Sequence, residues 1–181
     1  THIVDVDIKG YFDAIPHDRL MAKVRERIAD GKVVGLIEGF LKQGVIEGNN
    51  WQQAKEEGTP QGGVISPLLA NIYLDPLDWH MAGSGFEMVR YADDMVVLCH
   101  SQEEAAAALE KLREWMEEAK LTLHPDKTRT VDMSVAGSHF DFLGYRFKRS
   151  CSGSLMRLVR PKSLRKLRET IKPKTRRTNG K

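Results

Sequence analysis

Two short apolar runs, residues 86–91 and 95–100, flank the tripeptide Ala92-Asp93-Asp94. Apolar segments of strand length joined by a few polar residues have one natural solution, a hairpin with antiparallel pairing. A hairpin cannot stand alone, so its apolar face demands further strands and a covering layer. One further strand is visible at the start of the chain. Residues 2–8, His-Ile-Val-Asp-Val-Asp-Ile, alternate as a strand does, with Val4, Val6 and Ile8 on one face and Asp5 and Asp7 on the other.

The covering layer is helical. From 17 to about 43, Leu20, Val24 and Ile28 form a stripe, Gly31 marks a break, and Val34, Ile37 and Leu41 continue it. Residues 45–57, around Glu47-Gly48-Asn49-Asn50, read as a polar hairpin, and Gly58-Thr59-Pro60-Gln61-Gly62-Gly63 as a loop. Ser66-Pro67 reads as an N-cap followed by proline at the first helical position, with Leu68, Leu69, Ile72 and Tyr73 as the buried stripe. Ser101 and Glu104 form a capping box for a helix to about Lys120, its core stripe being Ala105, Ala108, Leu109, Leu112, Met116 and Ala119. Strands fit 128–134, 139–148 and 154–160, and a basic helix at about 162–172 precedes a loose tail. Helices interleaved with antiparallel hairpins predict an α+β fold, with helices packed on one face of an antiparallel sheet.

At 41% hydrophobic residues, the chain of 181 has enough apolar material for one sizeable core, which excludes wholesale disorder. No apolar run approaches the roughly 20 residues of a membrane span. Cys99 and Cys151 are far apart and form no CxxC pair, which disfavours a disulfide framework or a structural zinc and fits a reducing compartment. The chain opens inside a strand-like run, with no signal-peptide pattern, and reads as an excised fragment. Its net charge of +3 conceals a division: residues 1–145 carry −10 and residues 146–181 carry +13. A basic block beside an acidic body fits either a polyanion partner or a solvated tail.

Asp7 lies where the first strand ends, and Asp93 and Asp94 at the tip of the hairpin. Three carboxylates brought together at a sheet rim repel one another unless a divalent cation neutralises them. Oxygen-only ligation suits Mg²⁺ or Mn²⁺ rather than zinc. Two such ions roughly 3.5–4 Å apart serve in-line phosphoryl chemistry. The same acids also fit a plain turn, with Asp7 capping a helix or pairing with Arg90.

Tyr91-Ala92-Asp93-Asp94 resembles the YxDD box of reverse transcriptases, and Asp5-Val6-Asp7-Ile8-Lys9-Gly10-Tyr11-Phe12-Asp13 resembles their first palm motif. The run from Gly58 to Leu74, GTPQGGVISPLLANIYL, is similar to the loop-helix motif of group II intron reverse transcriptases, or maturases. Pro125-Asp126-Lys127-Thr128 and Phe140-Asp141-Phe142-Leu143-Gly144-Tyr145-Arg146-Phe147 resemble the two later motifs. Five motifs in order cover essentially the whole chain.

The resemblance implies the palm of a right-hand polymerase. Asp7, Asp93 and Asp94 would be catalytic, with Asp7, the Ile8 carbonyl, Asp93 and Asp94 holding two Mg²⁺ ions, for which Mn²⁺ could substitute. Gly10 and Tyr11 would offer backbone N–H groups to the triphosphate, and Phe12 would lie under the sugar as a steric gate. Gln61, Gly62 and Ala92 complete the nucleotide-binding set, while Lys127 would approach the β,γ-phosphates. Phe142, Leu143, Gly144 and Tyr145 would form a primer grip. Arg160, Lys162, Arg165 and Lys166 would contact nucleic acid. Asp5, a second acid on the same face, is expected to be a bystander.

On this reading, residues 1–160 are the palm without preceding fingers, and residues 161–181 begin the thumb as a basic helix and loose end. The implied partners are an RNA template, a DNA primer, a dNTP and the cognate intron RNA, with a homodimer possible and no membrane contact. The implied location is a cytoplasmic ribonucleoprotein. Rival readings are an RNA-binding maturase fragment with little polymerase activity, a metal-dependent phosphodiesterase, and a retron, diversity-generating or CRISPR-associated reverse transcriptase. The unbroken run from Gly58 to Leu74 favours the group II branch.

Overall fold

In the computed structural model, the described residues are 2–43, 45–47, 50–52, 56–60, 62–150 and 152–175. Strand β1 (His2–Val6) leads into a single helical turn α1 (Tyr11–Ala14), then α2 (His17–Arg27) and α3 (Gly31–Leu41). A short hairpin follows, β2 (Val45–Glu47) and β3 (Asn50–Gln52), paired with Ile46 opposite Trp51. Helix α4 (Ser66–Gly83), hairpin β4 (Glu87–Tyr91) and β5 (Asp94–Cys99), and helix α5 (Gln102–Glu118) follow. Beyond them come β6 (Arg129–Asp132), β7 (His139–Phe142), β8 (Tyr145–Arg149), β9 (Leu155–Val159) and α6 (Pro161–Lys174).

The principal sheet has the order β4-β5-β1-β6, and every neighbouring pair is antiparallel. Register assigns its faces. Val4 lies opposite Val97 and Val6 opposite Met95, all four buried against the helices. Leu69, Leu74, Leu77, Ala105, Ala108, Leu112 and Met116 supply the helical side of this core. On the opposite face Ile3 and Val96 gather with Met133 and Phe140 into a second, smaller cluster. The β7-β8-β9 sheet covers that end, with the Phe140 and Phe147 rings stacked at 5.0 Å. The rest of this front face carries Asp5 and Asp94. The expected α+β architecture, helices on one face of an antiparallel sheet, is therefore the one observed.

Several local expectations are revised. The helical stretch does not break at Gly31. Helix α2 ends at Arg27, Ile28 is extended, and the Asp30 carboxylate caps α3 by accepting from the Lys32 and Val33 N–H groups, so Gly31 is the first helical residue. Ser66 is not an N-cap. It is already helical, and its hydroxyl donates to the Pro60 carbonyl at 2.7 Å, folding the preceding loop onto the helix. Leu68 is exposed, so the α4 stripe runs instead through Leu69, Tyr73, Leu77 and Met81. Residues 139–148 are two strands rather than one, because Leu143 and Gly144 both take positive φ (48° and 81°) and turn the chain between Phe142 and Tyr145. Two left-handed residues match the twist of a tight hairpin, and glycine takes the second at no steric cost. Ser101 caps α5 as expected, accepting from the Glu104 N–H. The basic helix runs slightly longer than expected, over Pro161–Lys174. Residues 176–181, expected to be a loose tail, lie outside the described residues, as do Cys151 and parts of the expected 45–57 hairpin.

Candidate active site

Asp7 lies just beyond β1, whose pairing with β5 ends at Val6 opposite Met95. The β4–β5 turn is made by Ala92 and Asp93, since Tyr91 already pairs with Asp94. Asp7 and Asp94 therefore stand at adjacent strand ends, and alternation puts them on the front face with Asp5. Burial pushes the Asp94 carboxyl above the ordinary range, and the negative charges of Asp5, Asp93 and Asp7 add to that rise. Against this, the nearby Leu143 backbone N–H draws it down. Four acids thus share one electrostatic neighbourhood.

Asp5 is less exposed than its expected bystander role implied. It is half-buried and paired with Arg129, its direct cross-strand partner on β6, at 3.1 Å. Burial raises its carboxyl nonetheless, outweighing the lowering by Arg129. Arg90 does not pair with Asp7. It faces α4 and binds Asp78. The partner of Asp7 is Lys127, whose Nζ lies 2.9 Å from Asp7 Oδ2. The turn carrying Lys127 is laced to the strand end, with the His124 N–H donating to the Asp7 carbonyl at 2.8 Å and the Lys9 N–H to the Thr122 carbonyl at 2.8 Å. This spacing makes Ile8 and Leu123 a pair without mutual hydrogen bonds. The Ile8 side chain is buried, while its own N–H and C=O face away from Leu123, toward the β5 side.

The carboxylate oxygens and backbone carbonyl gathered here suit a hard divalent cation. Among the described residues no three such groups already meet as a metal cluster. Asp7 is instead engaged by Lys127, so a cation entering here would displace an ammonium group. The mutual repulsion recorded at Asp94 is the feature a cation would relieve.

Gly10 takes a left-handed conformation (φ 56°) and opens α1. Tyr11 turns its ring into the core, where its hydroxyl donates to the Ala70 carbonyl at 2.5 Å. Phe12 is half-buried against the core, edge-on to Tyr11 at 5.6 Å. The glycine loop is tied to this turn: the Gly58 N–H donates to the Ile15 carbonyl at 2.8 Å and the Thr59 N–H to the Phe12 carbonyl at 2.6 Å. The loop and the first palm motif are therefore brought together, with Gly62 exposed. Gln61 lies outside the described residues.

The Leu143-Gly144 turn brings the Leu143 N–H up to Asp94, and it also anchors α6. The Gly144 carbonyl accepts from the Arg160 N–H at 3.0 Å. Asp141 binds the Arg146 guanidinium at 2.8 and 3.1 Å and Arg160 Nε at 3.0 Å, and its carboxyl is held below the ordinary range chiefly by Arg146. Arg160 is thus partly committed to the fold, whereas Lys162, Arg165 and Lys166 are exposed on α6. Sequence reasoning missed Arg129, the role of Asp141, and the grip of Arg90 on α4. The one available signal was alternation along β4, which turns Arg90 away from the acids.

Antiparallel strands carrying clustered carboxylates at a hairpin turn, with helices behind, define the palm of a nucleic-acid polymerase. Solved structures agree on the fold. Telomerase from Candida albicans in complex with a fragment of telomeric RNA superposes with a TM-score of 0.66 at 17% identity, over 86% of this chain and 30% of that one. A truncated apo telomerase from Candida tropicalis gives 0.63 at 14% identity over 86% of this chain and 35% of that one.

Residues 1–147 match the family model "Reverse transcriptase (RNA-dependent DNA polymerase)", and the chain belongs to that family. It is 54% identical over 76 residues to the group II intron-encoded protein LtrA of Lactococcus lactis, covering 41% of this chain and 12% of that protein. It is 32% identical over 194 aligned positions to protein YkfC of Escherichia coli, covering 87% of this chain and 50% of that protein. These similarities place it with the group II intron members of the family. The chain spans at most half the length of either relative. No helix among the described residues is long and apolar enough to cross a membrane.

Proposed function

We propose that this chain supplies the catalytic palm of a group II intron-type RNA-directed DNA polymerase. The observation that carries the proposal is the juxtaposition of Asp7, Asp93 and Asp94 at adjacent strand ends, with Lys127 against Asp7. The substrates are an RNA template, a DNA primer and a dNTP. The primer 3′-hydroxyl attacks the α-phosphate and pyrophosphate leaves. Two Mg²⁺ ions, or Mn²⁺ in their place, supply charge neutralisation and activation of the hydroxyl when held by Asp7, the Ile8 carbonyl, Asp93 and Asp94.

The remaining residues position and neutralise. Lys127 exchanges its contact with Asp7 for the β,γ-phosphates, and Gly10, Tyr11, Gln61, Gly62 and Ala92 line the nucleotide. Phe12 stands under the sugar. Phe142, Leu143, Gly144 and Tyr145 hold the primer end, a reading supported by the nearness of the Leu143 N–H to Asp94. Residues 1–160 act as palm. Residues 161–181 begin the thumb, where Arg160, Lys162, Arg165 and Lys166 follow the nucleic-acid backbone in a cytoplasmic ribonucleoprotein with the intron RNA. A second copy of the chain is a possible further partner.

The test is primer extension on an RNA template with all four dNTPs, using the intact protein that carries this chain. Asp93→Asn should abolish extension while leaving the melting profile unchanged. Extension persisting in that variant would overturn the assignment. Template binding should weaken steeply with salt, and reversing the charge of Lys162, Arg165 and Lys166 should reduce the salt slope by about one per lost phosphate contact.

A further inference from the structure

Arg90 stands one residue before Tyr91-Ala92-Asp93-Asp94, and strand alternation turns it away from the carboxylates, toward α4. Only 9% of its side chain is exposed. Its guanidinium is committed on three sides. Nε donates to Asp78 Oδ1 at 2.7 Å, and one terminal nitrogen pairs with Asp78 Oδ2. The other terminal nitrogen donates to Asn71 Oδ1 at 3.0 Å and to the Ala92 carbonyl at 2.9 Å. Asn71 and Asp78 are two turns apart on α4, so they share a face of that helix. A planar fork of five donors can satisfy such a set at once, which an ammonium group cannot.

The Ala92 contact is the informative one. Ala92 has φ 54°, in the left-handed region that a residue with a Cβ seldom adopts. It occupies the first position of the two-residue turn whose second residue is Asp93. Left to itself, a strained turn relaxes. A hydrogen bond to the Ala92 carbonyl holds the peptide that joins Ala92 to Asp93, and so sets where the Asp93 side chain emerges. The ion pair with Asp78 needs no such reach back across the turn.

We propose that Arg90 is a positioning residue for Asp93. It clamps the β4–β5 turn to α4 through Asp78 and Asn71, and it stabilises the left-handed Ala92 that presents Asp93 at the site. The proposal rests on the reading of Asp7 and Asp93 as metal-binding carboxylates. It assigns Arg90 no contact with substrate or cation.

Mn²⁺ binding to the 181-residue chain, followed by electron paramagnetic resonance, tests it. Arg90→Met should weaken Mn²⁺ binding by roughly 10- to 100-fold, the loss typical of removing a group that orients a metal ligand. Adding Ala92→Gly should restore part of that affinity, because glycine enters the left-handed region without penalty. A purely structural ion pair would show no such rescue. If Arg90→Met does not fold by circular dichroism, Arg90→Lys carries the measurement, keeping the charge for Asp78 but losing the simultaneous reach to Asn71 and Ala92. Asp93→Asn is the control for the underlying site. If it binds Mn²⁺ as the parent does, the metal-site reading fails. If it loses Mn²⁺ while the folded Arg90 variant retains parental affinity, or if Ala92→Gly restores nothing, the clamp is overturned.

Discussion

Lys127 Nζ lies 2.9 Å from the Asp7 carboxylate, joining residues 120 positions apart in the chain. Both side chains remain partly open to solvent, at 60% and 37% exposure. The ammonium stands where the site's charge calls for a cation, and Asp7 is the strand-end acid expected to bind one. On the proposed function, metal entry at Asp7 and release of Lys127 toward phosphate oxygens would be coupled steps at one carboxylate.

Removing the ammonium should expose that coupling. An ion pair this open contributes about 0.2–1 kcal/mol. Lys127→Met should accordingly tighten Mn²⁺ binding by roughly 1.4- to fivefold, by paramagnetic titration, while slowing single-nucleotide incorporation. Mn²⁺ affinity that falls in this variant would show that Lys127 assists the cation rather than competing with it.

Asp94 should limit stability at neutral pH. Its folded-state pKa is raised by burial and neighbouring acids, so the folded chain holds this proton more tightly than the unfolded chain does. The stability associated with the proton is present below the unfolded value and is lost as pH rises through the folded one. Asp94→Asn keeps an oxygen for the Leu143 N–H and removes the charge. It should therefore melt higher than the parent at pH 7, with the advantage vanishing toward pH 3, as read by thermal denaturation. A lower melting temperature at pH 7 would contradict this.

Asp141 holds α6 to the body of the protein. Its lowered pKa has the opposite sign: the stabilisation is present above the unfolded value and is lost as pH falls through the folded one. Asp141→Ala frees Arg146 and Arg160 together, at a cost of about 1–3 kcal/mol. Amide exchange should accelerate first across α6 and the Gly144 turn, with the β1–β5 core unchanged. Uniform acceleration throughout would argue against a local hinge role.

The loop before α4 should reject even one methyl group. A Cβ on Gly63 would lie 2.7 Å from the Phe40 ring and 2.8 Å from Ser66 Oγ, the hydroxyl that ties the loop to Pro60. Gly63→Ala should cost about 1–3 kcal/mol in urea denaturation and should displace the loop from α1. Gly62→Ala meets no neighbour within 4 Å, but its φ of 84° makes it a test of backbone strain alone.

Periodicity and turn chemistry act over a few residues, and what they govern was legible in the chain. The alternation through Val4, Val6 and Ile8, the hairpin at Ala92-Asp93 and the capped α5 all appear as read. The positions of Asp7 just past a strand end and of Asp93 in the hairpin turn are local features of the same kind. The misreadings at Gly31, Ser66 and Leu143 also have local causes: Asp30 supplies the cap of α3, the Ser66 hydroxyl turns to the Pro60 carbonyl, and Leu143-Gly144 takes the left-handed turn. The pairings that give each acid its state are of another kind. Asp7 with Lys127, Asp5 with Arg129, Asp94 with Leu143 and Arg90 with Asp78 depend on strand order and register. Those are settled by burying Val4, Val6, Met95 and Val97 against α4 and α5. Burial is a property of the whole assembled layer, so no window of sequence holds it, and the electrostatics of the site become defined only when that layer closes.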